Sequence, residues 1–243
     1  MEKFLIVVPC YNEESRFPLS DFESYITNSE NSHIHFLFVN DGSKDKTSSI
    51  LSDFSSNHDH AHFLNLNENV GKSEAIRRGV LSQSAEKFSY IGYFDADLAA
   101  PLSQVNLLIE KSTTHKSPYL VMGTRISLLG STQINRNKSR HYIGRVFATV
   151  VSNMLKLPVY DTQCGAKLIR KDVAAIIFKD CFISKWLFDV ELLFRIKQNF
   201  ENLNNKIIEM PLEKWEDKAG SKISFSYFFK APIDLIKIYF KYK

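Results

Sequence analysis

The chain has 243 residues, of which 44% are apolar and 24% are charged, and both values are ordinary for globular proteins. This length can bury a substantial core as one sizeable domain or as two small ones. Lysine and arginine outnumber aspartate and glutamate by 31 − 27 = 4, so the net charge alone excludes little. No repeat, low-complexity tract or linker rich in Gly, Pro or Ser divides the chain.

Cysteine usage and the amino terminus indicate a compartment. The three cysteines, Cys10, Cys164 and Cys181, are odd in number and widely spaced, which favours a reducing environment over a disulfide framework. The apolar run at 4–8 is too short, and too soon followed by Pro9, to be a signal peptide or a membrane span. We therefore predict a cytoplasmic catalytic face.

Strands and helices alternate through the first half of the chain. Strands are predicted at 4–8, 35–40, 62–66, 90–94 and 119–122. Helices are predicted from a capping box of Ser20 and Glu23 to about Asn28, then through about Phe54, over 72–84, and from Pro101 onward. This alternation is typical of an α/β fold with a mostly parallel sheet flanked by helices.

The second half is less regular and partly basic. It predicts a polar loop at 124–139, a helix at 141–155, a turn and strand at 161–169, an apolar helix at 186–196 and a final strand at 206–212. No Asp or Glu occurs from Lys111 to Tyr160, a segment that contains eight Lys or Arg residues. Such a segment suits an anionic partner, although a solvated basic face is the simpler alternative.

The carboxyl-terminal residues 225–243 form a segment distinct from the preceding catalytic domain, which we place at 1–224. The segment mixes aromatic and aliphatic residues with lysines, and the charges interrupt it too often for a spanning helix. Its composition fits a helix at a membrane interface, or equally a helix packed on the sheet or against a second copy of the chain.

The stretch YIGYFDADLAAP at 90–101 is an apolar strand that ends in two carboxylates, Asp95 and Asp97. In open α/β sheets ligands bind at the carboxyl ends of strands, and two carboxylates one residue apart suit a hard cation. The alternative is that Asp97 only caps the next helix. Three other polar loops follow predicted strands, at 9–13, 40–43 and 69–72, and would share the same sheet edge.

The segments VVPCYNEE, VNDGSKDKT, NVGKSEAIRRGV and FDADLAAP resemble, in order and spacing, the family 2 inverting glycosyltransferases with a GT-A fold, the nucleotide-diphospho-sugar transferase fold. VMGTRI at 121–126, DTQCGAKLI at 161–169, KWLFDVELLF at 185–194 and KWEDKAGSKI at 214–223 resemble the dolichyl-phosphate β-glucosyltransferase branch and its bacterial polyprenyl-phosphate relatives. The resemblance covers about Phe4 to Ser224.

The resemblance implies a role for each matching residue. It places Pro9, Tyr11 and Glu13 in the nucleoside pocket, Asp41 on the base, Lys72 near the nucleotide, Asp95 on the ribose or metal, Asp97 on Mg²⁺ or Mn²⁺, and Arg125 on the sugar or phosphates.

Two positions depart from the family pattern. Asn40 replaces a common aspartate near the base, and Ala99 and Ala100 follow DADL where many relatives carry polar residues.

The acceptor decides whether a general base is needed. A lipid monophosphate has a second pKa of about 6 and is already largely anionic at neutral pH, so it requires nearby cations rather than a base. The acid-free segment offers Arg136, Lys138, Arg140 and Arg145 for that purpose. Asp161 and Asp189 remain candidates for a base or for groups that orient the sugar and the acceptor-site cations.

These observations and the resemblance together predict an inverting hexosyltransferase that moves glucose from UDP-glucose to a dolichyl or undecaprenyl phosphate. The enzyme would be peripherally associated with the membrane. It would form a homodimer or bind a membrane-protein partner as an option, and it would bind no nucleic acid. The nearest alternative is a family 2 transferase with GDP-mannose as donor or a saccharide hydroxyl as acceptor. A sugar nucleotidyltransferase and a non-catalytic nucleotide-sugar binding subunit are more distant alternatives.

Overall fold

A computed structural model describes residues 2–82, 85, 87–114, 117–135, 138–218 and 225–243, and at 138–141 and 225–229 it describes the backbone alone. The strands in these ranges are β1 (Phe4–Cys10), β2 (Ile34–Asp41), β3 (Ala61–Leu66), β4 (Tyr90–Tyr93), β5 (Leu120–Thr124), β6 (Gln133–Asn135), β7 (Lys167–Arg170), β8 (Ile207–Pro211) and β9 (Lys214–Glu216). The α-helices are α1 (Leu19–Thr27), α2 (Thr47–Ser56), α3 (Lys72–Val80), α4 (Ser103–Thr114), α5 (Lys138–Leu155), α6 (Lys171–Ile177), α7 (Phe188–Asn199) and α8 (Phe225–Tyr242).

Seven of these strands form one sheet, in the order β3-β2-β1-β4-β7-β5-β8. β7 runs antiparallel to both of its neighbours, β4 and β5, whereas the other pairings in the described sheet are parallel. The predicted α/β fold with a mostly parallel mixed sheet is therefore confirmed. The strands β6 and β9 pair in parallel as a separate two-stranded ribbon.

Both faces of the sheet are covered by helices. Alternate residues of β1 point to opposite faces, so that Leu5 and Val7 join one buried cluster and Ile6 and Val8 join the other. The first cluster includes side chains from α3, α5, α6, α7 and α8, and the second includes side chains from α1, α2 and α4. Burial on both faces explains why these strands read as continuous apolar runs.

Several predicted boundaries are wrong. Ser20 and Glu23 form no capping box, because α1 begins at Leu19 after Pro18, whose restricted φ, here −82°, suits a helix entry. Pro101 is not the first helical residue, since α4 begins at Ser103. Helix α3 ends at Val80, before the predicted Ser84, which lies outside the described residues.

The region after residue 124 has more structure than predicted. The polar loop contains β6, and α5 begins at Lys138 instead of about residue 141. The strand predicted at 206–212 is not the last, because β9 follows it, and the helix α6 was not predicted. β6 and β9, of three residues each, and α6, of seven, are too short to show a strand or helix period of their own.

The carboxyl-terminal helix α8 packs against α7. Leu235 and Ile238 are buried in the core, and the Tyr242 hydroxyl donates a hydrogen bond of 2.8 Å to Glu191 of α7. The opposite side exposes Ile236 and Phe240 to solvent, at 53% and 72%. Within the described ranges, no helix combines the length and apolarity needed to cross a membrane.

Candidate functional site

The predicted polar loops lie at one edge of the main sheet. The loops after β1, β2, β3, β4 and β5 share this edge because those strands point in the same direction. The antiparallel strand β7 brings the segment that precedes it, 161–166, to the same edge, where Lys167 pairs with Tyr93 of β4. The edge therefore collects residues from both halves of the chain.

The two carboxylates after β4 lie at the centre of this edge. Asp95 forms an ion pair with Lys72, the first residue of α3. Asp97 Oδ1 accepts a hydrogen bond of 3.0 Å from the backbone N–H of Ala99. Because α4 begins only at Ser103, Asp97 closes a turn and does not cap the helix, contrary to the simpler alternative.

The electrostatics of the pair favour an added cation. Burial and the neighbouring charge of Asp95 raise the pKa of Asp97 above its ordinary value. Burial opposes the charge of Lys72, but the carboxylates of Asp95 and Asp189 outweigh it and raise the pKa of Lys72. One lysine thus offsets part of the negative charge, and Asp97 remains in a site where its ionised form is disfavoured.

The donor set fits a divalent cation that the substrate helps to hold. Residue 165 is glycine, and a Cβ there would lie 2.2 Å from Asp95 Oδ2, so the loop leaves space for this carboxylate. Among the described residues no group of three or more His, Cys, Asp or Glu could hold a metal by itself. Mg²⁺ in such sites uses one or two carboxylates together with substrate phosphates, and Asp95 and Asp97 meet that requirement.

Asp41 organises the loop before α3. Its two carboxylate oxygens accept hydrogen bonds from the backbone N–H groups of Val70 (2.8 Å) and Gly71 (3.0 Å). Burial raises the pKa of Asp41 despite these bonds. The Lys185 side chain lies over Gly71, because a Cβ on this glycine would be 3.2 Å from Lys185 Cδ. Lys185 thus adds a cation beside the loop that Asp41 holds, and sequence reasoning missed it.

The loop after β1 is held in place by polar contacts. The Glu13 backbone N–H donates to Thr47 Oγ1 at 2.7 Å, and the Glu13 carboxylate pairs with Arg16. Pro9 and Tyr11 lie beside it, half-buried at the end of β1. The charge of Asp97 contributes to the raised pKa of Arg16, after the larger effect of the Glu13 hydrogen bond. Arg16 is therefore a second cation near the carboxylate pair that the sequence did not single out.

Arg125 is fixed by a bidentate ion pair. Its Nε and Nη2 donate to the two oxygens of Asp161 at 2.7 and 2.8 Å, and its guanidinium lies 5.3 Å from the ring centroid of Trp215. The Glu209 carboxylate on β8 accepts hydrogen bonds from the backbone N–H groups of Tyr160 (2.6 Å) and Asp161. Asp161 is therefore engaged by Arg125, which argues against the base role that remained open.

Asp189 lies deeper than a solvent-facing base would. Its side chain is only 6% exposed, and its Oδ1 accepts hydrogen bonds from Lys167 Nζ (2.6 Å) and from the Tyr93 hydroxyl. Burial and the adjacent Asp189 raise the pKa of Tyr93 well above its ordinary value, so its hydroxyl remains a donor. Asp189 is thus placed to orient other groups.

The predicted acceptor cations are only partly described. Arg136 lies outside the described residues, and so do the side chains of Lys138 and Arg140. Arg145 of α5 places its guanidinium 3.4 Å from the ring centroid of Tyr160, the neighbour of Asp161. A cleft of about 610 Å³ opens between the turn after Asp97 and the β6–β9 ribbon, and Ser127 and Trp215 are among its lining residues.

The chain is similar to known proteins in sequence and in fold. The sequence model of the family described as "Glycosyl transferase family 2" matches residues 5–178. A dolichyl-phosphate beta-glucosyltransferase of Trichomonas vaginalis is 32% identical over 241 residues, covering 96% of this chain and 69% of that protein. The human dolichyl-phosphate beta-glucosyltransferase is 32% identical over 231 residues, covering 90% and 68%.

Among solved structures, glucosyl-3-phosphoglycerate synthase from Mycobacterium tuberculosis, in complex with Mn²⁺, UDP and glucosyl-3-phosphoglycerate, is similar with a TM-score of 0.69. The alignment covers 98% of this chain and 80% of that one at 15% identity. This likeness concerns the fold, which is of the GT-A type.

Proposed function

The chain belongs to glycosyl transferase family 2 and is a glycosyltransferase, and from this premise we propose that it transfers glucose from UDP-glucose to a polyprenyl phosphate. The sugar and the lipid phosphate follow the names of relatives that are about one-third identical over most of this chain. The observation that carries the proposal is the sheet-edge grouping of Asp95 and Asp97 with Lys72 and with the Arg125–Asp161 pair.

In the proposed reaction, a phosphate oxygen of the acceptor attacks the anomeric carbon of glucose as the bond to the UDP oxygen breaks. A divalent cation on Asp95 and Asp97 would neutralise charge on the departing diphosphate. Lys72 and Arg125 lie near these carboxylates and add fixed positive charge as the leaving group becomes more negative. Attack opposite the leaving group inverts the anomeric configuration.

No general base is required for this acceptor. A phosphate monoester with a second pKa of about 6 is largely a dianion at neutral pH. This fits the described geometry, in which Asp161 is bound bidentately by Arg125 and Asp189 is bound by Lys167. A saccharide hydroxyl would instead need a carboxylate free to take its proton.

Transfer assays would test the donor and the acceptor. We expect label from UDP-[¹⁴C]glucose, and not from GDP-[¹⁴C]mannose, to enter an organic-extractable lipid when dolichyl or undecaprenyl phosphate is supplied. We also expect EDTA to abolish the transfer and Mn²⁺ or Mg²⁺ to restore it. Absence of transfer to every polyprenyl phosphate would overturn the proposal, whereas transfer that persists in EDTA would overturn only the role of the metal.

We further propose that α5 and α8 rest on a membrane surface. α5 buries Ala148, Val151 and Leu155, yet its other side exposes a stripe of Tyr142, Ile143, Val146 and Val150, which are 70%, 53%, 68% and 45% exposed. An exposed apolar stripe of this kind is suited to a bilayer interface, and the segment from Lys111 to Tyr160, which includes α5, has no acidic residue to repel anionic lipids. A lipid acceptor requires such an approach.

Charge placed on the stripe should weaken vesicle binding. We expect Val146→Glu with Val150→Glu to reduce affinity for phosphatidylglycerol-containing vesicles by roughly 100-fold, because each of the two apolar side chains kept in water costs about 1.5 kcal/mol. The matched control is Ser49→Glu with Ser56→Glu, which adds the same charge at exposed positions on α2, on the other face of the sheet. Equal vesicle affinity of the two pairs would contradict the proposed orientation.

A further inference from the structure

A lysine is wholly buried next to the proposed active site. Lys167, the first residue of β7, is 0% exposed, and its ammonium has three acceptors: the carbonyl oxygens of Thr162 (2.9 Å) and Cys164 (2.6 Å) and Asp189 Oδ1 (2.6 Å). An ammonium has three N–H donors, so every donor is satisfied. Its position also brings Nζ 5.4 Å from the ring centroid of Tyr93.

Stability alone is a weak reason for such an arrangement. Removing an ammonium and a carboxylate from water costs several kcal/mol for each ion, and a well-packed apolar pair of similar volume often serves the fold as well. The distinctive feature of Lys167 is therefore what its ammonium binds. Two of its three acceptors are main-chain carbonyls of one short loop, 161–166, and the third is on α7.

The loop held by Lys167 contacts both sides of the proposed reaction centre. Asp161, at one end, binds the guanidinium of Arg125 through both carboxylate oxygens. Gly165, near the other end, is so close to Asp95 that a Cβ would lie 2.2 Å from the carboxylate. A shift of this loop would therefore move the groups that surround the sugar diphosphate.

We propose that Lys167 is a positioning residue: its ammonium ties the 161–166 loop to Asp189 and thereby sets Arg125 and Asp95 against the reacting sugar phosphate. Asp189 then serves as the counter-ion and anchor of Lys167 and not as a proton acceptor. The activity assay for this inference rests on the proposed function. The claim that Lys167 holds the 161–166 loop in place does not depend on the identity of the acceptor.

A double-mutant cycle distinguishes positioning from a general effect on folding. We expect Lys167→Met to lower kcat on the order of 10²-fold, since misplacement by about 1 Å can cost that much, while the KM for UDP-glucose changes little. In an Arg125→Lys background the same substitution should lower kcat by less than about threefold, because residues that act through one another are not additive. In an Asp41→Asn background, by contrast, Lys167→Met should lower kcat by its full factor, because Asp41 holds the loop before α3 and not the 161–166 loop.

Milder variants keep the test informative if Lys167→Met does not fold. Lys167→Gln retains N–H donors for the two carbonyls, and we expect a smaller loss of kcat with the same lack of additivity toward Arg125→Lys. Asp189→Asn keeps the shape and an acceptor oxygen, so its kcat should stay within about fivefold of the unaltered enzyme, whereas loss of a general base would cost about 10²-fold or more.

A spectroscopic readout does not depend on the acceptor. The chain has two tryptophans, and the guanidinium of Arg125 lies over the ring of Trp215, so Trp186→Phe leaves Trp215 as the single tryptophan reporter. We expect Lys167→Met to shift the emission of Trp215 in the folded protein while its unfolding remains cooperative. Additive effects on kcat together with unchanged Trp215 emission would refute the positioning role, whereas lack of lipid transfer by the unaltered enzyme would refute the proposed function instead.

Discussion

Replacing Asp97 by asparagine should lower kcat by roughly 10²- to 10³-fold, because the carboxylate that would hold the divalent cation is lost while the side-chain shape is kept. The amide oxygen of the introduced side chain can still accept the hydrogen bond from the Ala99 N–H, so the turn should persist. The measurement is steady-state glucosyl transfer across a Mn²⁺ titration, with Mn²⁺ binding in the presence of UDP followed by calorimetry.

The same substitution should not weaken the fold. Burial and the charge of Asp95 raise the pKa of Asp97, which means that its ionised form opposes folding at neutral pH. We therefore expect the free energy of unfolding of Asp97→Asn to be equal to or higher than that of the unaltered protein. Asp53→Asn, which removes an exposed carboxylate of α2, is the control and should change neither kcat nor Mn²⁺ affinity. EDTA-sensitive turnover at the normal rate in Asp97→Asn would remove this residue from the metal site.

A site whose charges oppose folding is typical of function. Asp95 and Asp97 are two acids at a sheet edge, and among the residues that the structure describes they have one direct lysine partner, Lys72. A stability-driven design would neutralise Asp97 as well, and here that task is left to the substrate-bound cation that we propose. The expected gain in stability and loss of turnover on substitution are two consequences of this one arrangement.

The first half of the fold could be predicted because its signals are local. Apolar runs that are buried on both faces, each followed by a polar loop, place strands β1 to β4 within about two residues. In parallel strands these loops share an edge, which places Asp41, Lys72, Asp95 and Asp97 together from the sequence alone. The predicted starts of α1 and α4 differ from the observed ones. Pro18 and Pro101 both lie before the helices that follow them.

The remainder depends on contacts between distant residues. β7 enters the sheet antiparallel between β4 and β5, and this alone brings Lys167 and the 161–166 loop to the edge that carries the proposed active site. Glu209 and Trp215 reach the site from β8 and β9, more than eighty residues after Arg125. No periodicity in the sequence encodes these pairings. The sequence therefore carries no sign that Lys167, within DTQCGAKLI, is buried at this site.

The second large effect is expected at Arg125. Arg125→Lys should lower kcat on the order of 10²-fold, because an ammonium reproduces neither the two parallel bonds to Asp161 nor the contact with Trp215. Asp161→Asn should give a smaller loss, since the guanidinium keeps its charge but loses its counter-ion.

The chain offers a closely matched control for this prediction. Arg170 binds Asp172 in the same bidentate manner, at 2.6 and 2.7 Å, and its guanidinium lies 4.8 Å from the ring centroid of Tyr119. It stands at the end of β7 remote from the 161–166 loop, so Arg170→Lys should leave kcat and KM unchanged. If both substitutions lowered kcat to the same extent, the cause would be a general weakening of the sheet. A loss confined to Arg125→Lys would instead place the guanidinium at the reacting sugar phosphate, where its charge is needed as the diphosphate departs.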